Sequence, residues 1–265
     1  EFRPNDAVMH LNLGIAFQRQ GDVEKAIEHS KKAITIKPDY AESHNNMGNA
    51  LKDQRKLDKA IDAYKKAISI KPDYDEAYIN MGNALKKQVK LDEAIEAYNK
   101  ALSIKPDYAE VYINIGNVFK EQGKLEKAIE AYKKALAIKP DYSEAYINMG
   151  NVLQDQDKLE EAIAAYNKAL SIKPNNAKAH NNVGVSLKKQ GKLEQAIQAY
   201  SKALAIKPDL AEAYNNMGII HQDQGKLEEA IAAHIKALAI KPEYVSAQMN
   251  LSAAKNLAVP TWHIR

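Results

Sequence analysis

Residues 75–108, "DEAYINMGNALKKQVKLDEAIEAYNKALSIKPDY", decide the fold of this 265-residue chain. Apolar and small residues recur there at spacings of three and four, first over residues 77–85 and again over residues 91–104. That period predicts two amphipathic helices joined by a short turn. Pro106 should stop the second helix, because proline has no amide hydrogen and disfavours helical geometry at Lys105. The stretch is therefore predicted to form a helical hairpin.

The same hairpin recurs along the chain with a period of 34 residues. The prolines that keep this spacing are Pro4, Pro38, Pro72, Pro106, Pro140, Pro174, Pro208 and Pro242, and the glycines are Gly14, Gly48, Gly82, Gly116, Gly150, Gly184 and Gly218. The chain thus divides into a lead-in (1–6), seven repeats (7–244), a capping helix (245–258) and a tail (259–265). Because one hairpin cannot bury its own apolar face, the repeats are expected to stack. Positions are counted from the first residue of each repeat, so Asp75 is position 1 of the third.

The start of each first helix carries the pattern Asp-x-x-Glu, as at Asp107 and Glu110. This spacing is typical of a capping box, in which the aspartate accepts a hydrogen bond from the first turn. The same pattern occurs at Asp39/Glu42, Asp73/Glu76, Asp141/Glu144 and Asp209/Glu212. We therefore expect these aspartates to be N-caps.

The turn inside each hairpin carries glycine in four repeats, at Gly21, Gly123, Gly191 and Gly225. The other three repeats have Arg55, Val89 and Asp157 instead. Glycine at such a turn indicates a left-handed backbone, so we expect a positive φ at all seven positions. A β-branched residue such as Val89 would be strained in that conformation.

The repeat resembles the tetratricopeptide repeat family, whose signature is clearest in residues 109–142. The matching residues are Tyr112, Ile115, Gly116, Ala128, Ala135 and Pro140. The resemblance implies an all-α fold, a right-handed superhelical solenoid of antiparallel helix pairs. It also implies that the first helix of each pair lines a concave groove and that the second faces outward.

The composition excludes several classes of function. The chain has no cysteine, so it has no disulfide, thiolate metal site or cysteine nucleophile. Its 38 basic and 34 acidic residues are interspersed, which disfavours nucleic acid as a partner. No run of about 18 apolar residues suggests a membrane span, and no signal peptide is evident, so a cytoplasmic location is expected.

No catalytic motif is present, and the chain is predicted not to be an enzyme and to need no cofactor or metal. All fourteen tyrosines occupy positions 4, 24 and 34, which a packing role explains. His10, His44, His180, His221 and His234 stand at packing positions filled by aromatic residues or leucine elsewhere. His29 and His263 have no partner at the sequence spacing of a metal site.

Position 6 is asparagine in every repeat and in the capping helix, although asparagine costs roughly 0.5–0.7 kcal/mol relative to alanine inside a helix. These residues are Asn12, Asn46, Asn80, Asn114, Asn148, Asn182, Asn216 and Asn250. One interpretation is a family side chain that bonds to a neighbouring helix. The other is an amide ladder that binds the backbone of an extended peptide. Such a ladder resembles that of the tetratricopeptide domain of O-linked N-acetylglucosamine transferases, which hold protein substrates in their groove.

We assign two further sets of residues, at positions 9 and 5, to the same groove face. Position 9 contributes Asn83, Asn117 and Asn151, preceded by Asn49 in the second repeat. Position 5 contributes Ile79, Ile113 and Ile147. We interpret the isoleucines as an exposed apolar strip where hydrophobic side chains of a ligand would lie.

These features predict a protein-interaction scaffold that binds an extended peptide or partner segment in its groove. One alternative is a substrate-presenting module of a larger glycosyltransferase- or methyltransferase-type enzyme. The tail "LAVPTWHIR" resembles the entry into a methyltransferase domain in some fusion enzymes, although a hydrophobic tail that packs on the last helix explains it as well. Another alternative is a spacer whose copies or partners meet through the array ends or the convex face.

Overall fold

The computed structural model describes residues 6–258, and the regular structure in that range is entirely α-helical. Residues 1–5 of the lead-in and the predicted tail, 259–265, lie outside the described residues. The helices are α1 (Ala7–Arg19), α2 (Val23–Ile36), α3 (Ala41–Asp53), α4 (Leu57–Ile70), α5 (Asp75–Lys87), α6 (Leu91–Ile104), α7 (Ala109–Glu121), α8 (Leu125–Ile138), α9 (Ser143–Asp155), α10 (Leu159–Ile172), α11 (Ala177–Lys189), α12 (Leu193–Ile206), α13 (Ala211–Asp223), α14 (Leu227–Ile240) and α15 (Val245–Ala258).

The odd-numbered helices α1 to α13 are the first helices of seven hairpins, and the even-numbered helices are the second. The prediction of an all-α array of helix pairs is confirmed. The described residues form two units, one ending at Ile138 with α1–α8 and one beginning at Lys139 with α9–α15. None of the described helices has the length and apolar character needed to cross a membrane.

Within each hairpin the two helices approach most closely where a glycine of the first meets an aromatic ring of the second. A Cβ added to Gly82 would lie 2.6 Å from Cε1 of Tyr98, so only glycine fits at this position. Equivalent contacts join Gly48 to Tyr64, Gly116 to Tyr132, Gly150 to Tyr166 and Gly184 to Tyr200. These five tyrosines are fully buried. The predicted packing role of the position-24 tyrosines is confirmed.

The turn inside the hairpin has the left-handed backbone that the sequence predicts. Val89 has a φ of 62°, and Arg55 and Asp157 have φ values of 60° and 59°. Glycine occupies the other turns, for example Gly123 with a φ of 71°. The Val89 side chain is 75% exposed and therefore gains little packing to offset its backbone strain.

The connection between repeats begins where proline was expected to stop the second helix. Helix α6 ends at Ile104, and Lys105 is extended, with φ −130° and ψ 90°. The Tyr108 ring then lies beneath the Lys105 ammonium, whose nitrogen is 4.5 Å from the ring centroid. Proline and a cation–aromatic contact together fix the chain direction into the next repeat.

The capping-box prediction was wrong. The N-cap of α5 is Tyr74, at position 34, and it makes no side-chain capping bond. The same is true of Tyr40, Tyr108, Tyr142 and Leu210. The Tyr74 amide donates to Lys71 O at 3.1 Å, which places Asp73 inside a tight turn, one residue before the cap. Side-chain capping does occur at Asp6, Asp22 and Asn176.

Candidate functional site

The asparagines at position 9 have a role inside their own repeats. The Tyr98 hydroxyl donates to Asn83 Oδ1 at 2.7 Å. The same bond joins Tyr64 to Asn49 (2.8 Å), Tyr132 to Asn117 (2.8 Å) and Tyr166 to Asn151 (2.9 Å). Sequence reasoning missed this pairing. A signal was present, because asparagine occurs at position 9 only in repeats that have tyrosine 15 residues later.

The sixth repeat breaks the rule, since Val185 stands where the other tyrosine-bearing repeats have asparagine. The buried Tyr200 hydroxyl consequently has no hydrogen-bond partner among the described residues. Burial also raises the pKa of Tyr200 well above its usual value. A buried hydroxyl without a partner costs about 1–3 kcal/mol, so this repeat carries a local defect.

Several position-6 asparagines bond to the preceding repeat. Asn80 Nδ2 donates to Asn45 Oδ1 at 3.1 Å, and Asn182 Nδ2 donates to Asn151 Oδ1 at 2.9 Å. In the capping helix, Asn250 Nδ2 donates to Asn215 Oδ1 at 3.1 Å. For these residues the interpretation as a bond between neighbouring helices has direct geometric support. Alanine there would remove a contact between repeats as well as any contact to a ligand.

The other position-6 asparagines are not equivalent to one another. Asn12 is exposed, whereas Asn46, Asn114, Asn148 and Asn216 are half-buried. Asn46 Nδ2 is shielded from solvent and has no hydrogen-bond acceptor among the described residues. The structure therefore gives the series of eight amides at least three different environments.

The exposed apolar strip was wrongly placed. Ile79 is only 9% exposed, and it belongs to a core cluster that also contains Val111 and Ile115 of α7. Ile113 is 2% exposed, and Ile147 is half-buried. Ile79 therefore packs against the next repeat rather than lying in an open groove.

The first helices of the first three repeats enclose a cleft of about 530 Å³, here called the N-terminal cleft. It is lined by Leu11, Ile15, Gln18, Arg19, Glu42, Asn46, Asn49, Asp53, Tyr74 and Glu76. These side chains come from α1, α3 and α5 and from the residue that precedes α5. Two predicted groove residues, Asn46 and Asn49, are brought together there.

Acidic groups predominate in the N-terminal cleft. Three carboxylates, those of Glu42, Asp53 and Glu76, face one guanidinium, that of Arg19. The carboxylates have contacts of their own, since Gln18 Nε2 donates to Asp53 Oδ2 at 2.9 Å and Lys71 Nζ lies 3.6 Å from Glu42 Oε1. The Lys71–Glu42 pair is 40–45% exposed and holds these side chains only weakly.

A second cavity, of about 310 Å³, lies between α6, α7 and α8. Ile95, Tyr112, Ile115 and Phe119 contribute apolar surface, and Lys127 Nζ sits 5.8 Å from the Phe119 ring centroid. This cavity is smaller than the N-terminal cleft, and it is formed by two second helices and one first helix. Its polar lining residues are Asn99, Lys127, Glu130 and Lys134, and none of them belongs to the predicted groove set.

Two histidines meet in the first repeat. His10 Nδ1 and His29 Nδ1 are 2.9 Å apart, and the Phe17 ring stacks on His29 with 5.3 Å between ring centroids. Burial, followed by the charge of His10, lowers the pKa of His29. No sequence motif indicates this pair, because 19 residues separate the two positions. The described residues contain no cluster of three or more metal-ligating side chains.

Of the other histidines at packing positions, His234 is fully buried. His44 and His180 instead bond through Nε2 to the carbonyls of Pro38 and Pro174, at 2.9 and 3.1 Å. His221 is half-buried, and His263 lies outside the described residues. The prediction of core packing therefore describes His10 and His234 better than the rest.

Family models match the array that the geometry describes. The TPR repeat model matches residues 19–55, 48–89, 90–123, 116–157, 150–191 and 186–225, and the Tetratricopeptide repeat model matches residues 211–244. The chain belongs to the tetratricopeptide repeat family. Tetratricopeptide proteins are generally non-catalytic scaffolds that bind other proteins, which supports the same general role here. A comparison with curated protein sequences gave no match.

Solved tetratricopeptide structures resemble this chain. A tetratricopeptide repeat protein from Parabacteroides merdae matches with a TM-score of 0.70 and 19% identity, covering 94% of this chain and 99% of that one. A chain of the APC/C hetero-tetramer Cut9–Hcn1 matches with a TM-score of 0.68 and 20% identity, over 91% of this chain but 48% of that one. YrrB, described as a TPR protein with an unusual peptide-binding site, matches with a TM-score of 0.57 and 25% identity, over 71% and 97%.

Proposed function

We propose that this tetratricopeptide array binds an extended segment of a partner protein along its first helices, and that the segment enters the N-terminal cleft. The observation that carries the proposal is the cleft itself, a space of about 530 Å³ between α1, α3 and α5. Its volume is within the range of ligand sites in proteins. It would accommodate a few residues of an extended chain.

The amides of the cleft suit a peptide backbone. Asn49 uses its Oδ1 to accept the Tyr64 hydroxyl, and that bond leaves the Nδ2 hydrogens of Asn49 for another acceptor. Asn46 Nδ2 has no acceptor among the described residues, and a ligand carbonyl would satisfy it after a rotation of the side chain. Backbone recognition of this kind is tolerant of the partner's side chains. The peptide-binding site named for YrrB, a protein 25% identical to this one, supports the proposal by analogy.

The proposal is tested by filling the cleft. Random peptides displayed on phage are selected on the whole chain, and the best binders are then measured against two variants. Ile15→Trp places a large ring in the cleft, where Ile15 is a lining residue. Ile235→Trp is the matched control, because Ile235 is 49% exposed on the second helix α14.

We expect Ile15→Trp to weaken the selected peptides by about tenfold or more, equivalent to about 1.4 kcal/mol. The control should leave the dissociation constant unchanged, and circular dichroism should show that both variants remain folded. Equal affinity of all three proteins would place peptide binding elsewhere. A selection that yields no binder at all would also contradict the proposal.

A further inference from the structure

The charges that line the N-terminal cleft indicate which kind of side chain the partner would place there. Glu42, Asp53 and Glu76 converge on one space that contains a single guanidinium, Arg19. Among the residues that line this space, three carboxylates stand against one guanidinium, while Lys71 lies next to Glu42 from outside the lining.

Apolar groups complete the cleft. Leu11 and Ile15 of α1 and the ring of Tyr74 provide the nonpolar part of its lining. Arginine and lysine combine an apolar stem with a cationic head, and such a side chain would meet both kinds of surface here. Carboxylates with planar, bidentate geometry favour arginine over lysine. An acidic side chain in the same place would face three like charges.

We propose that the N-terminal cleft is a subsite for an arginine side chain of the bound segment, with Asp53 and Glu76 as its main charge partners. This inference rests on the proposed function, since it names the chemistry of the segment that the cleft would take. Among the described residues, the hydrogen bonds that the Asp53 and Glu76 carboxylates accept come from neutral amides. Asp53 accepts from Gln18 at 2.9 Å, and Glu76 accepts from Asn45 at 3.4 Å. A guanidinium can therefore bind without displacing a strong ion pair.

Arg19, Lys52 and Lys71 are the competing cations, and Lys52 interacts electrostatically with Asp53 from outside the cleft lining. Lys71 approaches Glu42 from outside the cleft lining and leaves Asp53 and Glu76 to the ligand. Arg19 lines the cleft one turn beyond Ile15, at the end of α1. The guanidinium of the ligand is attracted to exposed carboxylates, and salt screens that attraction. The affinity for the arginine segment should therefore fall as the salt concentration rises.

The test uses three fluorescein-labelled nonapeptides of alanine and leucine that differ only at the central residue. That residue is arginine, its neutral isostere citrulline, or glutamate. Fluorescence anisotropy gives the dissociation constant of each for the whole chain. We expect the arginine peptide to bind about tenfold more tightly than the citrulline peptide at low salt, and the glutamate peptide to bind least.

Two double variants localise the effect. Asp53→Asn with Glu76→Gln removes two charges but keeps both hydrogen-bond acceptors, so the preference for arginine should fall to about twofold or less. Glu212→Gln with Asp223→Asn makes the same changes at positions 2 and 13 of the last repeat, away from the cleft. That control should preserve the preference.

The outcomes separate the two proposals. If arginine and citrulline peptides bind equally and Ile15→Trp blocks both, peptide binding stands and the arginine subsite is wrong. If the arginine preference survives the Asp53/Glu76 variant, the subsite is also wrong. The subsite is overturned as well if none of the three peptides binds at about 1 mM. In that case, peptides selected from the random library still decide whether the cleft binds a partner.

Discussion

The Tyr98 hydroxyl donates to Asn83 Oδ1 at 2.7 Å, whereas the equivalent Tyr200 hydroxyl has no partner because Val185 replaces the asparagine. One chain therefore contains the same buried tyrosine with and without its hydrogen bond. Both rings are 0% exposed, and both lie over a glycine of the first helix. The pair gives an internal measure of what the bond contributes to stability.

Removing the two hydroxyl groups should have opposite consequences. Tyr98→Phe loses a hydrogen bond and should lower the free energy of unfolding by about 0.5–1.5 kcal/mol. Tyr200→Phe removes a buried hydroxyl that bonds to nothing described, so it should leave stability unchanged or raise it. Urea denaturation of the whole chain measures both. Equal losses would mean that the Tyr98–Asn83 bond contributes nothing specific.

Restoring the missing acceptor completes the comparison. Val185→Asn should stabilise the chain by about 0.5–1.5 kcal/mol, because it gives the sixth repeat the amide found in four others. The gain should disappear in a Tyr200→Phe background, where no hydroxyl remains to donate. A gain that persists in that background would have to come from another contact.

Glycine at position 8 should tolerate alanine only where the opposing ring is missing. At Gly82 an added Cβ would lie 2.6 Å from Tyr98, so Gly82→Ala should cost about 1–3 kcal/mol even though alanine favours helix. At Gly14 the nearest atom is Ser30 Oγ, at 3.3 Å, and Gly14→Ala should cost less than about 1 kcal/mol. Thermal denaturation of the two variants compares them. A larger loss at Gly14 would contradict the steric explanation.

The strained turn offers a stabilising substitution. Val89 has a φ of 62° and an exposed side chain, so Val89→Gly should raise the free energy of unfolding by about 0.5–1 kcal/mol. Asp157→Gly should gain less, since aspartate tolerates the left-handed region better than valine. The difference in melting temperature between the two variants is the measurement. An unchanged or lowered melting temperature for Val89→Gly would argue against strain at this turn.

Mild acid should destabilise the array through its buried histidines. Burial lowers the pKa of His234 below the ordinary value of 6.5, and burial together with His10 lowers that of His29. The folded state then binds fewer protons than the unfolded state, so stability is full above about pH 6.5 and falls as the pH drops below it. His234→Phe should reduce this loss between about pH 7 and pH 5 in urea denaturation. An identical pH dependence in the variant would exclude His234 as a contributor.

The sequence was sufficient for the repeat and for the helices. The apolar spacing, the glycines and the prolines all share one period. A helix that is poorly predicted in one repeat is therefore still identified from the other six. Sequence rules for helix capping were less reliable, because a single residue decides where the N-cap lies. Asp73 has the right residue type for an N-cap. The turn that begins at Lys71 nevertheless places the N-cap one residue later, at Tyr74.

The candidate site was only partly visible in the sequence. Helical periodicity correctly grouped Asn80 and Ile79 away from the interior of their own hairpin, whereas Asn83 bonds to Tyr98 inside it. It could not show that Asn80 bonds to the preceding repeat or that Ile79 packs against the core of the next one. The N-terminal cleft draws its lining from three repeats, so no single repeat contains its pattern.

The sequence by itself determined the helix pairs, their turns and the family, because these depend on backbone preferences and on contacts repeated at a fixed spacing. Only the tertiary structure decided which side chains stay open to a ligand. That outcome depends on how neighbouring first helices pack, and the packing covers Ile79 but leaves space between α1, α3 and α5. The cleft lining comes from three different repeats, so the pattern within one repeat does not show it.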